Sequence, residues 1–389
     1  MHSRDRSMFV MLRTIFAVIA VLLLCACAAR SQQALAPGSN PTSGHTATAA
    51  SSPPSMDSAA APPAQTVPVP SAGSPPSVVG PIRARIAAVA HAPIIISRPA
   101  SDFDSMSIDP GMRRIMAGHS ATGRFAVLNL ADHTVRDLPT GPVRGIAVDV
   151  DLDKVFVADA DQKVIVFDRK SLVRIDSIDL GGHADALALD SDDHRLFVDH
   201  QGSPDLWVID AKTHQTLGSI RLDGNPCDIV YDAGAKRILQ TVASPDRLEE
   251  IDPDSVTVTG SWPTAPATAP RGVAVDAEGH FAFVAGSNGT LVVMDTQTGA
   301  VLSSTDIAQN VDQVAYDPEL SEVFCASGTE GVVTVVQVAP SGAAATVGDM
   351  PTDSGANSLT LSRTGPDLDV WVSYAATYGS YMQCFSLTR

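Results

Sequence analysis

Apolar and polar residues alternate along most of this chain in short runs, and the runs recur. "RGIAVDVDLDKVFVAD" at 144–159 and "RGVAVDAEGHFAFVAG" at 271–286 share one order: an apolar strand closing on Asp, a polar turn, then a second apolar run containing Val-Ala. Aligning the chain on apolar-x-apolar-Asp produces a ladder: MSID at Asp109, IAVD at Asp149, LALD at Asp190, IVYD at Asp232, VAVD at Asp276 and VAYD at Asp317. A seventh rung, LTLS, puts Ser362 in the place of the acid. The steps of 40, 41, 42, 44, 41 and 45 residues mark a repeat architecture.

Each unit reads as four strands. The first ends at the ladder acid. A turn such as "DPGMRR" or "DSDDHR" follows, then a β-branched strand ("KVFVAD", "RLFVDH", "EVFCAS"), a third ("KVIVFD", "DLWVID", "TLVVMD") and a more polar fourth ("LVRIDSIDL"). No run has the period of a long amphipathic helix. Four short strands per unit, repeated seven times, predict an all-β fold, a seven-bladed β-propeller. The last unit has three strands before the chain ends at Arg389, and "APIIISRPASDFD" upstream has the spacing of a missing fourth. Residues near Ile94–Ser97 are therefore expected to close the last blade, removing an open sheet edge. The ladder acids are expected to cap their turns by bonding backbone N–H groups two residues on. "DVDLD" at 149–153 imitates the start of a calcium loop but lacks its Gly and its closing Glu, so calcium is rejected there.

The N-terminus breaks the pattern. Arg4, Arg6 and Arg13 precede fifteen apolar residues, Ile15 to Ala29, short of the ~20 needed to span a bilayer. This is the form of a secretory signal peptide, with residues 1–26 removed. The run ends "LCAC", which resembles the bacterial lipobox; the resemblance implies cleavage before Cys27 and lipid on its sulfur. Ala28 and Ala29 follow with no Asp after that Cys, which by resemblance to enterobacterial sorting rules implies the outer membrane, with the protein facing the periplasm. Residues 27–85 are read as a disordered tether: of residues 31–80, thirty-eight are Ala, Pro, Ser, Thr or Gly, and Asp57 is the only charge. Such a coil reaches roughly 40 Å. Residues 90–389 form the propeller. Residues 81–389 carry a net charge of −19, which repels phosphate backbones and makes nucleic acid a poor partner.

"PVRGIAVDVDLDKVFVADADQKVIVFD" and "APRGVAVDAEGHFAFVAGSNGTLVVMDTQTGAVL" resemble YVTN-type and NHL-type β-propeller repeats, carried by the "VFVAD…VFD" and "FVAG…MDTQTGAV" cores and extending over about 92–389. WD40 repeats fit worse, since no unit ends in Trp-Asp. The resemblance implies a seven-bladed propeller among bacterial exported or envelope proteins, a group holding many binding proteins and a relative that hydrolyses sugar lactones. It specifies the fold and leaves the activity open.

In a propeller the first strand of each blade lines the central channel. Residues five before each ladder position should ring one mouth: Asp104, Arg144, Asp185, Cys227, Arg271, Asp312 and Asn357. Residues ending the second strand should form a wider ring on the same face: His119, Asp159, His200, Val242, Gly286, Ser327 and Tyr374. Asp104 with His119, and Asp185 with His200, would place an acid beside an imidazole. Two readings stay open. The mouth is a set of ion pairs plugging the channel, or it binds a small anionic ligand gripped by Arg144 and Arg271 as planar forks, with Asp104, Asp185, Asp312, Asp159 and Tyr374 around it. Zinc on His119, His200 and an Asp is chemically allowed, but the ligands sit on different blades, so no metal is assigned.

No phosphate loop, His-Glu-x-x-His, nucleophile elbow or repeated tryptophan docking motif appears, and no cofactor is expected. Cys227, Cys325 and Cys384 lie in different units and give no disulfide framework. His194 and His280 are expected to be solvated on the far face. The expected function is a monomeric, lipid-anchored, non-catalytic scaffold binding a ligand or an envelope protein. The alternative is a lactonase-like hydrolase using Asp104, His119, Asp185 and His200, and a third reading is an exported sensor or assembly component docking through its acidic rim.

Overall fold

A computed structural model describes residues 86–387 apart from Pro366. The signal peptide, Cys27 and the whole of the expected tether lie outside the described residues.

Among the described residues every regular element is a β-strand, and they assemble into seven antiparallel sheets, six of which follow the chain from inner to outer strand. The innermost strands, which name blades 1 to 7, are Phe103–Asp109, Val143–Asp149, Ala184–Asp190, Asn225–Asp232, Pro270–Asp276, Gln313–Asp317 and Ser358–Thr364. Each packs against the next, and that of blade 7 packs against that of blade 1, so the ring is closed. The domain is a seven-bladed β-propeller.

The closure is the one the sequence predicts. Blade 7 takes Ser358–Thr364, Asp367–Ala376 and Gly379–Leu387 from the C-terminus, and Val89–Ala90 and Ile94–Ser97 pair with Gly379–Leu387 from outside. Ile94 faces Met382 and Val89 faces Ser386. Ile96 is buried with Trp371, Met382 and Phe103 between blades 7 and 1.

Packing follows the strand pattern. Second strands such as Lys154–Asp159 and Phe281–Gly286 are buried on both faces, because each lies in the middle of a sheet sandwiched by two others, so they read as continuous apolar runs. Outer strands alternate, as in Val301–Asp306. Their apolar side chains gather in seven clusters, one at each interface between neighbouring blades.

The six ladder acids cap their turns, four of them at the N–H three residues on where two was expected. Asp109 Oδ1 accepts from Met112 N at 3.0 Å, Asp149 from Leu152 N, Asp190 from Asp192 N, Asp232 from Gly234 N, Asp276 from Gly279 N and Asp317 from Leu320 N. Several do a second job that the repeat alone does not reveal: they tie one blade to the next. Asp109 meets Arg169 of blade 2, Asp149 meets His194 of blade 3, Asp276 accepts from Tyr316 of blade 6, and Asp317 meets Arg363 of blade 7. His194 is thus mostly buried on a carboxylate 2.9 Å away, contrary to the expectation of solvent. The fourth residue after each acid takes positive φ in all six turns: Arg113, Asp153, His194, Lys236, His280 and Ser321, between 51° and 58°.

Candidate functional site: the bulged mouth of the channel

At the entrance end of the innermost strands the sheet register slips. In blade 1, Phe103 pairs with His119 and Ser105 with Gly118, leaving Asp104 as the extra residue. Arg144 of blade 2 is extra in the same way. In blades 3, 4 and 5 the slips span Asp185-Ala186, Cys227-Asp228 and Arg271-Gly272. A β-bulge frees its extra residue from the ladder and re-aims its side chain. The bulges are therefore the device that turns five of the expected inner-ring residues toward the channel mouth.

These residues meet. Arg144 Nη1 donates to Asp104 Oδ1 at 3.1 Å, across blades 2 and 1. Arg271 pairs with Asp312 across blades 5 and 6, and Asn357 Nδ2 of blade 7 reaches the other oxygen of Asp312 at 3.2 Å. Asp185 lies within the fields of Arg144, Arg271 and Asp312. Both guanidinium groups are engaged by the protein's own carboxylates, and Asp185 adds a further negative charge. Burial pushes Asp104 up to about 7, with Arg144 opposing and the charges of Asp185 and Asp312 adding. Burial also raises Asp185, against the pull of Arg144 and Arg271. Cys227 is pushed up to about 12, chiefly by burial, so its thiol is a poor nucleophile.

Behind the mouth lies a polar layer that the repeat pattern did not single out. Asp228 of blade 4 accepts from Ile229 N and from Val273 N of blade 5, both at 2.9 Å. Burial raises it to about 7 despite those two bonds. Asp199, fully buried, receives Gln240 Nε2 at 3.4 Å and is driven well up by burial and by its neighbours Asp185 and Asp228. Thr241 Oγ1 donates to Arg271 O at 2.7 Å. Gln313 of blade 6 bonds Leu359 N of blade 7 and both backbone groups of Met106 in blade 1, so it bridges that side of the channel. The signal was present in the sequence: Asp199 and Gln240-Thr241 interrupt second strands that are apolar in other blades.

The second expected ring does not join this mouth. His119 is fully buried, stacks on Phe103 at 4.3 Å and sets Nδ1 3.4 Å from Ser101 O. His200 stacks on Trp207 at 4.3 Å, in a space that a side chain at Gly182 would fill. Burial lowers both imidazoles. The expected Asp104–His119 and Asp185–His200 pairs are not made. Each imidazole sits opposite the residue before the bulge, Phe103 or Ala184, and adjacent strand residues point to opposite faces. Asp159 accepts from Gly141 N and Asp161 N, both at 2.8 Å, Ser327 Oγ donates to Gln309 O, and Tyr374 Oη donates to Gln383 Oε1 of its own blade at 3.5 Å. His119, Asp159 and Ser327 thus clamp the connection that leads into their own blade; they brace the loops of this face and do not line a funnel. With the imidazoles turned away, zinc has no set of converging donors, and among the described residues no three His, Cys, Asp or Glu side chains gather as a metal site.

No protein-family model matches the chain, and no curated protein matches it. Among solved structures, a chain from "Crystal Structure of Mitotic Checkpoint Complex" superposes with a TM-score of 0.62 at 15% identity, covering 84% of this chain and 98% of that one. At that identity the likeness carries the fold alone.

Proposed function

We propose that this chain is an exported, lipid-anchored β-propeller that acts as a non-catalytic binding scaffold in the bacterial cell envelope. The observation that carries the reading is the state of the mouth: its guanidinium groups are held by Asp104 and Asp312, and no imidazole stands beside a carboxylate there. A hydrolase needs a base within hydrogen-bond reach of its reacting proton, and the arrangement offers instead a fixed pattern of paired charges. That pattern suits recognition of a protein surface. A small anion is disfavoured, because it would compete with carboxylates already in place for Arg144 and Arg271. The resemblance of the repeats to YVTN- and NHL-type propellers and of "LCAC" to a lipobox supports the envelope location, with Cys27 as the lipidated residue.

Affinity capture from envelope extracts with the full chain and with Arg271→Glu tests the docking face. A partner retained by the wild type and lost by the variant is expected; equal capture by both would move the interface elsewhere, and no specific capture would count against a stable partner. Lactone hydrolysis that disappears in His119→Ala or His200→Ala would restore the enzyme reading. Palmitate labelling that survives Cys27→Ser would end the anchor.

A further inference from the structure

The ladder of acids has one gap, and a cavity lies beside it. In blade 3, His194, fourth after its ladder acid, reaches back to the ladder acid Asp149 of blade 2. In blade 4, Lys236 holds the same turn position and reaches Asp192 in the ladder turn of blade 3, 3.2 Å away. In blade 2 the same position is Asp153, which pairs within its own blade with Arg169 and Lys170; blade 1 puts Arg113 there, and the blade behind it is blade 7. There the ladder residue is Ser362, whose hydroxyl receives the Trp371 indole N–H at 3.1 Å. Arg113 is exposed, and among the described residues no carboxylate pairs with it. A cavity of about 310 Å³ occupies this place, at the end of the channel away from the bulged mouth, under blades 6, 7 and 1.

Its lining has two characters. Ile108, Leu130 and Leu361 supply apolar wall. The charged part is Arg113 with Arg363 and Asp317, and Arg363 already neutralises Asp317 through Nη2 bonds of 2.6 and 2.7 Å to both its oxygens. Arg363 is taken further by Glu319, whose Oε2 lies 3.2 Å from its Nη1, so Arg113 is the lining's cation that no carboxylate holds among the described residues. Its volume is at the small end of ligand sites, which are mostly apolar with a few convergent polar groups.

We propose that this cavity binds a small monocarboxylate with an apolar body, whose carboxylate takes the place of the missing seventh ladder acid beside Arg113. The apolar body lies against Ile108, Leu130 and Leu361, and the guanidinium fork of Arg113 receives the carboxylate. The site is separate from the mouth and stands or falls independently of the scaffold reading.

The test uses the full chain, isothermal calorimetry, and octanoate as probe, with octylamine and octan-1-ol as controls. Octanoate is expected to bind and both controls to bind at least tenfold more weakly, the scale of one charge-assisted bond, about 1.4 kcal/mol. Arg113→Gln is expected to weaken octanoate by about tenfold or more. Ser362→Asp restores the acid within the chain; it is expected to abolish octanoate binding and to raise the melting temperature of the free protein. Leu130→Glu, which puts a carboxylate into the apolar wall, is expected to reject the probe. No binding of octanoate, equal binding of octylamine, or unchanged affinity in both Arg113→Gln and Ser362→Asp would overturn the proposal.

Discussion

Replacing Arg169 by Met removes a buried pair between two blades and leaves a charge stranded; it also removes the 3.2 Å contact of Arg169 Nη1 with the half-exposed Asp153, which keeps Lys170. Arg169 crosses from blade 2 to blade 1 and grips Asp109 with both arms, Nε to Oδ2 at 2.7 Å and Nη2 to Oδ1 at 2.6 Å. Asp109 is wholly inaccessible to solvent and Arg169 is 6% exposed. In Arg169→Met the carboxylate keeps only the Met112 N–H on Oδ1, and Oδ2 is orphaned in an apolar interface. Removing one partner of a buried pair costs about 3–5 kcal/mol, because the remaining ion must be desolvated without compensation. At about 2 °C per kcal/mol for a domain of this size, the melting temperature should drop by roughly 5–10 °C. Lys170→Met is the control: Lys170 pairs with Asp153 while 65% exposed, and such a surface pair is worth under about 1 kcal/mol. Asp109→Asn combined with Arg169→Met removes the stranded charge, so the double variant should recover part of the loss, a coupling of about 0.5–3 kcal/mol. Thermal and urea unfolding followed by circular dichroism measure the wild type, Arg169→Met, Lys170→Met, Asp109→Asn and the double variant, which completes the cycle. An Arg169→Met loss no larger than that of Lys170→Met would refute the reasoning that ladder acids hold adjacent blades together.

Stability should fall as pH rises. Asp104 and Asp228 stand near 7 when folded and in the ordinary carboxylate range when unfolded, so between about 4 and 7 the folded chain binds protons that the unfolded chain has released. The melting temperature is expected to decline across this window and level off above it, with a shallower decline in Asp104→Asn; an unchanged slope in that variant would contradict the burial argument. Deleting residues 86–97 removes Val89–Ala90 and Ile94–Ser97 from blade 7 and bares the edge of Gly379–Leu387. A steep loss of stability with concentration-dependent aggregation is expected, and an unchanged melting curve would count against the closure. Lys236 holds φ at 53° in its turn, so Lys236→Val should cost about 1–2 kcal/mol in urea unfolding, since a β-branched residue is strongly disfavoured there; a neutral effect would show that the turn can relax.

Much of the fold was legible because a repeat writes its own geometry. Apolar-x-apolar-Asp followed by a turn sets the innermost strand and its end, and seven rungs set the number of blades. The missing fourth strand of the last unit pointed to Ile94–Ser97. The mouth was half legible. Counting five back from each acid found Asp104, Arg144, Asp185, Arg271 and Asp312, but counting also placed His119 and His200 beside those acids, where they are not. A count along a strand cannot see a bulge, and one extra residue reverses which face the next side chain takes.

The sequence by itself determined which residues are strand and which are turn, where the ring begins and ends, and that six turns carry an acid, because these depend on local periodicity and turn chemistry. Tertiary structure alone decided the cross-blade partners of Asp109, Asp149, Asp276 and Asp317, the clamping of entry loops by His119, Asp159 and Ser327, the burial that raises Asp104 and Asp228, and the cavity where Ser362 interrupts the ladder. Those depend on which blade lies beside which and on how far water is excluded between them, and both are fixed only when residues far apart in the chain are brought together around the axis.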